Sequence, residues 1–165
     1  MAKRSLSSTT ITPTAVADTV AMTNNLWLGT LFGASATQRT IISEIYIGGQ
    51  STASAVAIPL FARDSTVPGT LVAGTMFDAP VDPATAALAA PLLTGNSATT
   101  PPQRSATGHL LNLSFNAFGG IVRWLAPQGA EIGIVGTAVS LGSVSLSQFT
   151  GGAGIMGGHI IYETS

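Results

Sequence analysis

The sequence predicts an all-β protein: a jelly-roll-like antiparallel β-sandwich with an extended N-terminal arm and one short helix. Three observations carry this expectation. Apolar and polar residues alternate in short runs, as in SVSLSQF at 143–149, the period of a strand with one buried face. The runs are bounded by Gly, Pro, Asn or Asp at spacings of roughly 8–12 residues, as in sandwiches and barrels. Only one stretch, around 84–90, is made of good helix formers without such alternation.

Taken in order, residues 1–25 are rich in Ser, Thr, Ala and Val and alternate poorly. They are expected to form an extended arm, set apart from a β-sandwich domain over 26–165. Residues 39–47 (RTIISEIYI) predict a strand stopped by Gly48-Gly49. Residues 55–63 (AVAIPLFAR) predict another, with Val56, Ile58 and Leu60 on one face. Pro59 lacks a backbone donor, so that strand is expected at an edge or with a bulge. Turn chemistry at 64–69 (DSTVPG) leads to short runs near 70–72 and 75–77. Asp82 is placed to cap a helix that Pro83 starts and Pro91 ends. Residues 94–108 read as a long polar loop, exposed or functional. Beyond it, Leu111, Leu113 and Phe115 are expected to face inward, with Asn112, Ser114 and Asn116 outward. Runs at 121–125, 131–135, 143–149 and 159–163 complete eight or nine strands, a number that fits two packed sheets.

Composition bounds the function. The chain has 165 residues, 45% of them hydrophobic and 8% charged, against a usual charged share of roughly 25%. That is unlike a disordered chain, which is poor in apolar groups and rich in charge. It also suits a lone soluble monomer badly, because surface charge resists association. A repeating assembly is therefore expected ahead of an ordinary soluble β-protein with a Ser/Thr-rich face. The net charge is −1 with six scattered basic residues, so there is no stripe to neutralise phosphates and no direct nucleic-acid binding is expected. Without cysteine there are no disulfides or thiolate metal sites. No apolar run reaches the roughly 18 residues of a membrane helix. The start, MAKRSLSSTTITPT, has no apolar segment of a secretory leader, so synthesis in the cytosol is expected.

Candidate chemical groups are few. His109 and His159 each begin a predicted strand and share no ligand spacing with a carboxylate, so no metal, no cofactor and no catalytic residue is assigned. Residues 152–157 (GAGIMG) match GxGxxG, but a strand rather than a helix follows, which removes the pyrophosphate cradle. In IVRWL, alternation puts Arg123 and Trp124 on opposite faces, so Trp124 is read as core. Trp27, near the end of the arm, is instead read as an interface anchor.

Residues 109–163 run LSFNAFGGIVRW, a Ser-alternating strand, a Gly-rich turn and HIIYE. In this order the chain resembles the small jelly-roll cement or decoration proteins of tailed-phage heads. The resemblance implies a non-enzymatic virion protein on the capsid exterior. It would be a homo-oligomer, trimer before dimer, bridging subunits of the major capsid protein. The residues themselves place partner contact on the arm, at Thr9, Thr10, Ile11, Thr12, Thr14 and Val16, with Trp27 beside them. An extended arm adds a strand to a neighbouring sheet. The rival reading is a head-fibre or tail-associated module that binds a receptor or carbohydrate, using the 94–108 loop or the Trp27 and Tyr46 rings.

Overall fold

The computed structural model describes residues 3–15, 20–32, 37, 39–66, 68–72, 76–84, 93–95, 97–135, 142–151 and 154–164. Fourteen strands are described: β1 (Lys3–Ile11), β2 (Gly29–Phe32), β3 (Arg39–Gly49), β4 (Val56–Thr66), β5 (Leu71–Val72), β6 (Met76–Pro80), β7 (Leu93–Gly95), β8 (Ser97–Ala98), β9 (Gln103–Asn112), β10 (Phe115–Asn116), β11 (Ile121–Leu125), β12 (Ile132–Val135), β13 (Val144–Gly151) and β14 (Met156–Thr164). No described residue is helical. The expected helix at 84–90 falls mostly outside the described residues, although Asp82 Oδ1 does accept from the Ala84 amide at 2.9 Å.

Two antiparallel sheets pack as a β-sandwich. The first runs β11-β3-β14-β1-β6, with β12 also on β3; the second runs β10-β4-β13-β2-β7, with β9 also on β4. Successive strands β1, β2, β3 and β4 fall in alternate sheets, so each connection crosses the sandwich. The core between the sheets takes Leu6, Ile42, Ile45, Ile47, Ile160 and Tyr162 from the first sheet. Leu31, Phe61, Val144 and Leu146 come from the second. Of the predicted inward residues, Leu113 is buried, and Leu111, Phe115 and Trp124 pack on the core partly covered.

The expected free arm is corrected. Over Lys3–Ile11 the N-terminus is an interior strand, hydrogen-bonded to β14 on one side and β6 on the other. Leu6 and Ile11 lie in the core. Arg4 donates to both Asp78 oxygens at 2.8–3.1 Å, and Tyr162 OH donates to Asp78 at 2.9 Å. These contacts pin β1 across both neighbours. Burial, and then the Asp78 charge, push the Tyr162 hydroxyl pKa up. Two apolar residues among nine suffice here, because an interior strand gains backbone partners on both edges. The boundary at residue 25 therefore does not divide arm from domain.

Three further expectations change. Strand β4 lies inside its sheet, between β13 and β9/β10. Opposite Pro59 the register shifts between Gln148 and Thr150, so the bulge falls on the neighbouring strand β13 and β4 is not an edge. From β4, Ala57 and Phe61 join the core between the sheets, while on the other face Leu60 is buried and Val56 is exposed. The 94–108 segment is no free loop: β8 pairs β5, and β9 pairs β4 from Gln103 onward.

The second sheet is buried on both faces, which explains a polar strand in an interior position. Thr30, Ser145 and Ser147 are fully buried beside a small cluster of Met22, Trp27 and Ala98, with Leu71 packed on it. Trp27 Nε1 donates to Thr30 Oγ1 at 2.9 Å, and Thr30 Oγ1 lies 2.7 Å from Ser145 Oγ. Arg104 donates to Ser147 Oγ at 2.8 Å. These hydrogen bonds offset the cost of burying the hydroxyls and the guanidinium.

Candidate functional site

The distribution of charge singles out one end of the sandwich. Stretches 5–17, 45–62, 110–122 and 132–158 contain no Asp, Glu, Lys, Arg or His. The sheet registers bring parts of all four together: the end of β1, the β3–β4 turn, the β10–β11 turn and the β13–β14 turn. The result is an end with no charge among its described residues, while Lys3, Arg39, Asp64, Arg104 and Glu163 sit toward the opposite strand ends.

These turns are tied to one another. The Gly49 amide donates to Gly120 O, Gln50 to Ile155 O, and Ser51 to Ala117 O, at 2.8–2.9 Å. Asn116 Oδ1 accepts from the Phe118 amide at 2.9 Å, and its Nδ2 donates to Ser54 Oγ at 2.8 Å. Gly119 takes φ +69°, where a side chain is strained. A Cβ on Gly49 would overlap the Ala117 carbonyl. On this braced frame Phe118 is 60% exposed, Val56 59% and Ile155 39%. Of these, Ile155 lines a hollow of about 350 Å³ together with Thr12, Ser51, Thr52, Ser54 and Gly154. Large apolar groups held outward on a rigid frame can be covered by a partner without stripping water from any charge.

The outer face of the first sheet carries the other notable group. Tyr46 and His159, register partners on β3 and β14, stack with ring centroids 5.1 Å apart and 9° between planes. Arg123 donates to both Glu44 oxygens at 2.8 and 3.2 Å, and His159 Nε2 lies 3.7 Å from Glu44. The Arg123 hydrogen bond holds the Glu44 carboxyl below the usual carboxylate range. Among the described residues, no group of three or more His, Cys, Asp or Glu could hold a metal ion.

The predicted contact residues separate. Thr12 and Thr14 are exposed, and Thr12 lines the end hollow. Thr9 and Thr10 belong to β1, but their side chains, like all of Val16, lie outside the described residues. Ile11 is buried in the core. Trp27 is wholly buried, with its indole N–H satisfied inside the chain, so its ring is no interface anchor; it holds the cover on the second sheet. Sequence reasoning missed Val56, Phe118 and Ile155. The signal available for them was the run of uncharged stretches, visible only when they are placed at one end of the strands.

Comparison with protein families, curated proteins and solved structures finds no match to this chain.

Proposed function

We propose that this protein is a structural virion component: a jelly-roll module that sits on the outside of a phage head and bridges major capsid protein subunits. The observation that carries the reading is the braced, charge-free end with Phe118, Val56 and Ile155 held outward. Protein interfaces are depleted of charge at their centres and enriched in aromatic groups. A partner that binds only the folded module across a joint stabilises the assembled state by mass action.

The jelly-roll part of the reading is supported by strand order. With β9/β10 and β11/β12 each counted as one, and with β6 and β7 set aside as additional outer strands, the chain gives two interleaved four-stranded sheets, β1-β14-β3-β11/12 and β2-β13-β4-β9/10. Two Greek keys wound together produce this order. The phage-head assignment rests on the resemblance of residues 109–163, and the low charge of the whole chain favours a homo-oligomer, trimer before dimer. Contact moves from the arm to the end of the sandwich.

The test is Phe118→Glu. The side chain is exposed, so the melting temperature should stay within a degree or two, as surface substitutions change stability by about 0.5 kcal/mol or less. Co-sedimentation with phage particles lacking the protein should weaken tenfold or more, about 1.4 kcal/mol. Unchanged co-sedimentation of this variant and of Val56→Glu would refute the assignment of the surface.

A further inference from the structure

We propose that the outer face of the first sheet holds a binding site for an uncharged saccharide, centred on the Tyr46–His159 ring pair. Register places five side chains in a row across this face: Phe77, Ser7, His159, Tyr46 and Arg123. The neighbouring row toward the charge-free end is Ile121, Gly48 and Gly157. Two adjacent glycines leave the sheet without side chains there, and a hollow of about 480 Å³ opens between the ring pair and Ile121. Glycine inside a strand often marks a place where a ligand or another backbone comes close. The volume falls within the roughly 300–1,000 Å³ of small-molecule sites.

The chemistry of the walls selects the ligand. A sugar ring presents an apolar C–H face with a rim of hydroxyls. The hollow offers flat rings and Ile121 to the first, and the Ser7 and Gln50 side chains with the backbone at Gly48 and Gly157 to the second. Ser7 is small and lies between Phe77 and His159 in register. Two strand spacings therefore separate those rings, roughly 9–10 Å, and Phe77 lies beside the hollow rather than in its lining. The guanidinium in register with Tyr46 is already held by Glu44 through two hydrogen bonds. The pair presents no net charge, which favours a neutral sugar over a phosphate or an acidic one.

Gly48 provides a clean test, because a Cβ there meets nothing within 4 Å. Gly48→Val fills the hollow without a clash, and its β-branched side chain suits a strand. The full chain would be titrated with maltotetraose, cellotetraose, mannotetraose and chitotetraose, followed by amide chemical shifts. Saturable shifts at Gly48, Gly157 and His159 are expected with at least one of the four. Gly48→Val and Tyr46→Ala should bind that sugar at least tenfold more weakly while both still melt cooperatively, and Tyr46→Phe retains binding. The proposal is overturned if none of the four binds wild type, if Gly48→Val binds equally well, or if the shifts map elsewhere. It is equally overturned if Gly48→Val alters self-association and leaves sugar affinity intact, since the hollow then belongs to a contact between copies.

Discussion

Removal of residues 1–11 is expected to abolish cooperative folding. Those residues supply β1, which pairs with β14 and β6 at once. Their loss exposes the facing edge of β14 and leaves β6 without a sheet. It also empties the core positions of Leu6 and Ile11, both at most 3% exposed. Truncating one buried Leu or Ile to Ala costs about 2–5 kcal/mol, against a total stability of about 5–15 kcal/mol for a domain. Two such losses together with both ladders exceed what a domain of this size can absorb. Far-ultraviolet circular dichroism and thermal melts of the full and shortened chains would decide this. A shortened chain that melts within a few degrees of the full one would restore the idea of a detachable arm. Leu6→Ala alone should cost about 2–5 kcal/mol while keeping a two-state melt.

The second large effect is expected at Asp64. This carboxyl lies fully buried at the end of β4, and neither oxygen has a hydrogen-bond partner. Ser143 and Ser145 lie beside it, but the Ser145 hydroxyl is engaged with Thr30. Burial pushes the Asp64 pKa up from 3.8 to about 7, offset only in part by the two serines and Arg63. The folded chain therefore keeps a proton that the unfolded chain releases near pH 4. As far as this group is concerned, stability is greatest below pH 4. It falls as pH rises through the window up to about 7, and is flat above it. Asp64→Asn replaces the acid with a neutral group of the same shape and removes the slope. The variant should match wild type near pH 4 and exceed it at pH 8 by about 4 kcal/mol at most. Urea unfolding across pH 4–8 measures this. A wild type whose stability is level, or rises, over that range would show that Asp64 is ionised in the folded chain.

The strands of the second half were legible in the sequence because apolar and polar residues alternate in them, although β13 is buried on both faces. The run IVRWL is β11 with the expected bounds, and its Trp124 packs inward. The N-terminal strand was not legible, since SLSSTT offers few apolar groups and an interior strand is held as much by backbone pairing as by side chains. Trp27 misled for a related reason. A lone Trp in a polar stretch looks exposed until a second polar surface, Thr30 and Ser145, is found beneath it. Of the contact residues expected on the arm, Thr12 lines the end hollow. The rest of that surface comes from three turns far apart in sequence, whose only common mark is the absence of charge.

The central claim, that the charge-free end meets neighbouring subunits on a phage head, is tested most directly by electron microscopy of the native particle at side-chain resolution. The account predicts density for this chain on the capsid exterior. In that density the turns around Ser51–Ser54, Phe118 and Ile155 should be buried against adjacent subunits, and Lys3 and Arg39 at the opposite strand ends should face solvent. A particle without the chain, or one that carries it with Phe118 and Ile155 in open solvent, would contradict the account.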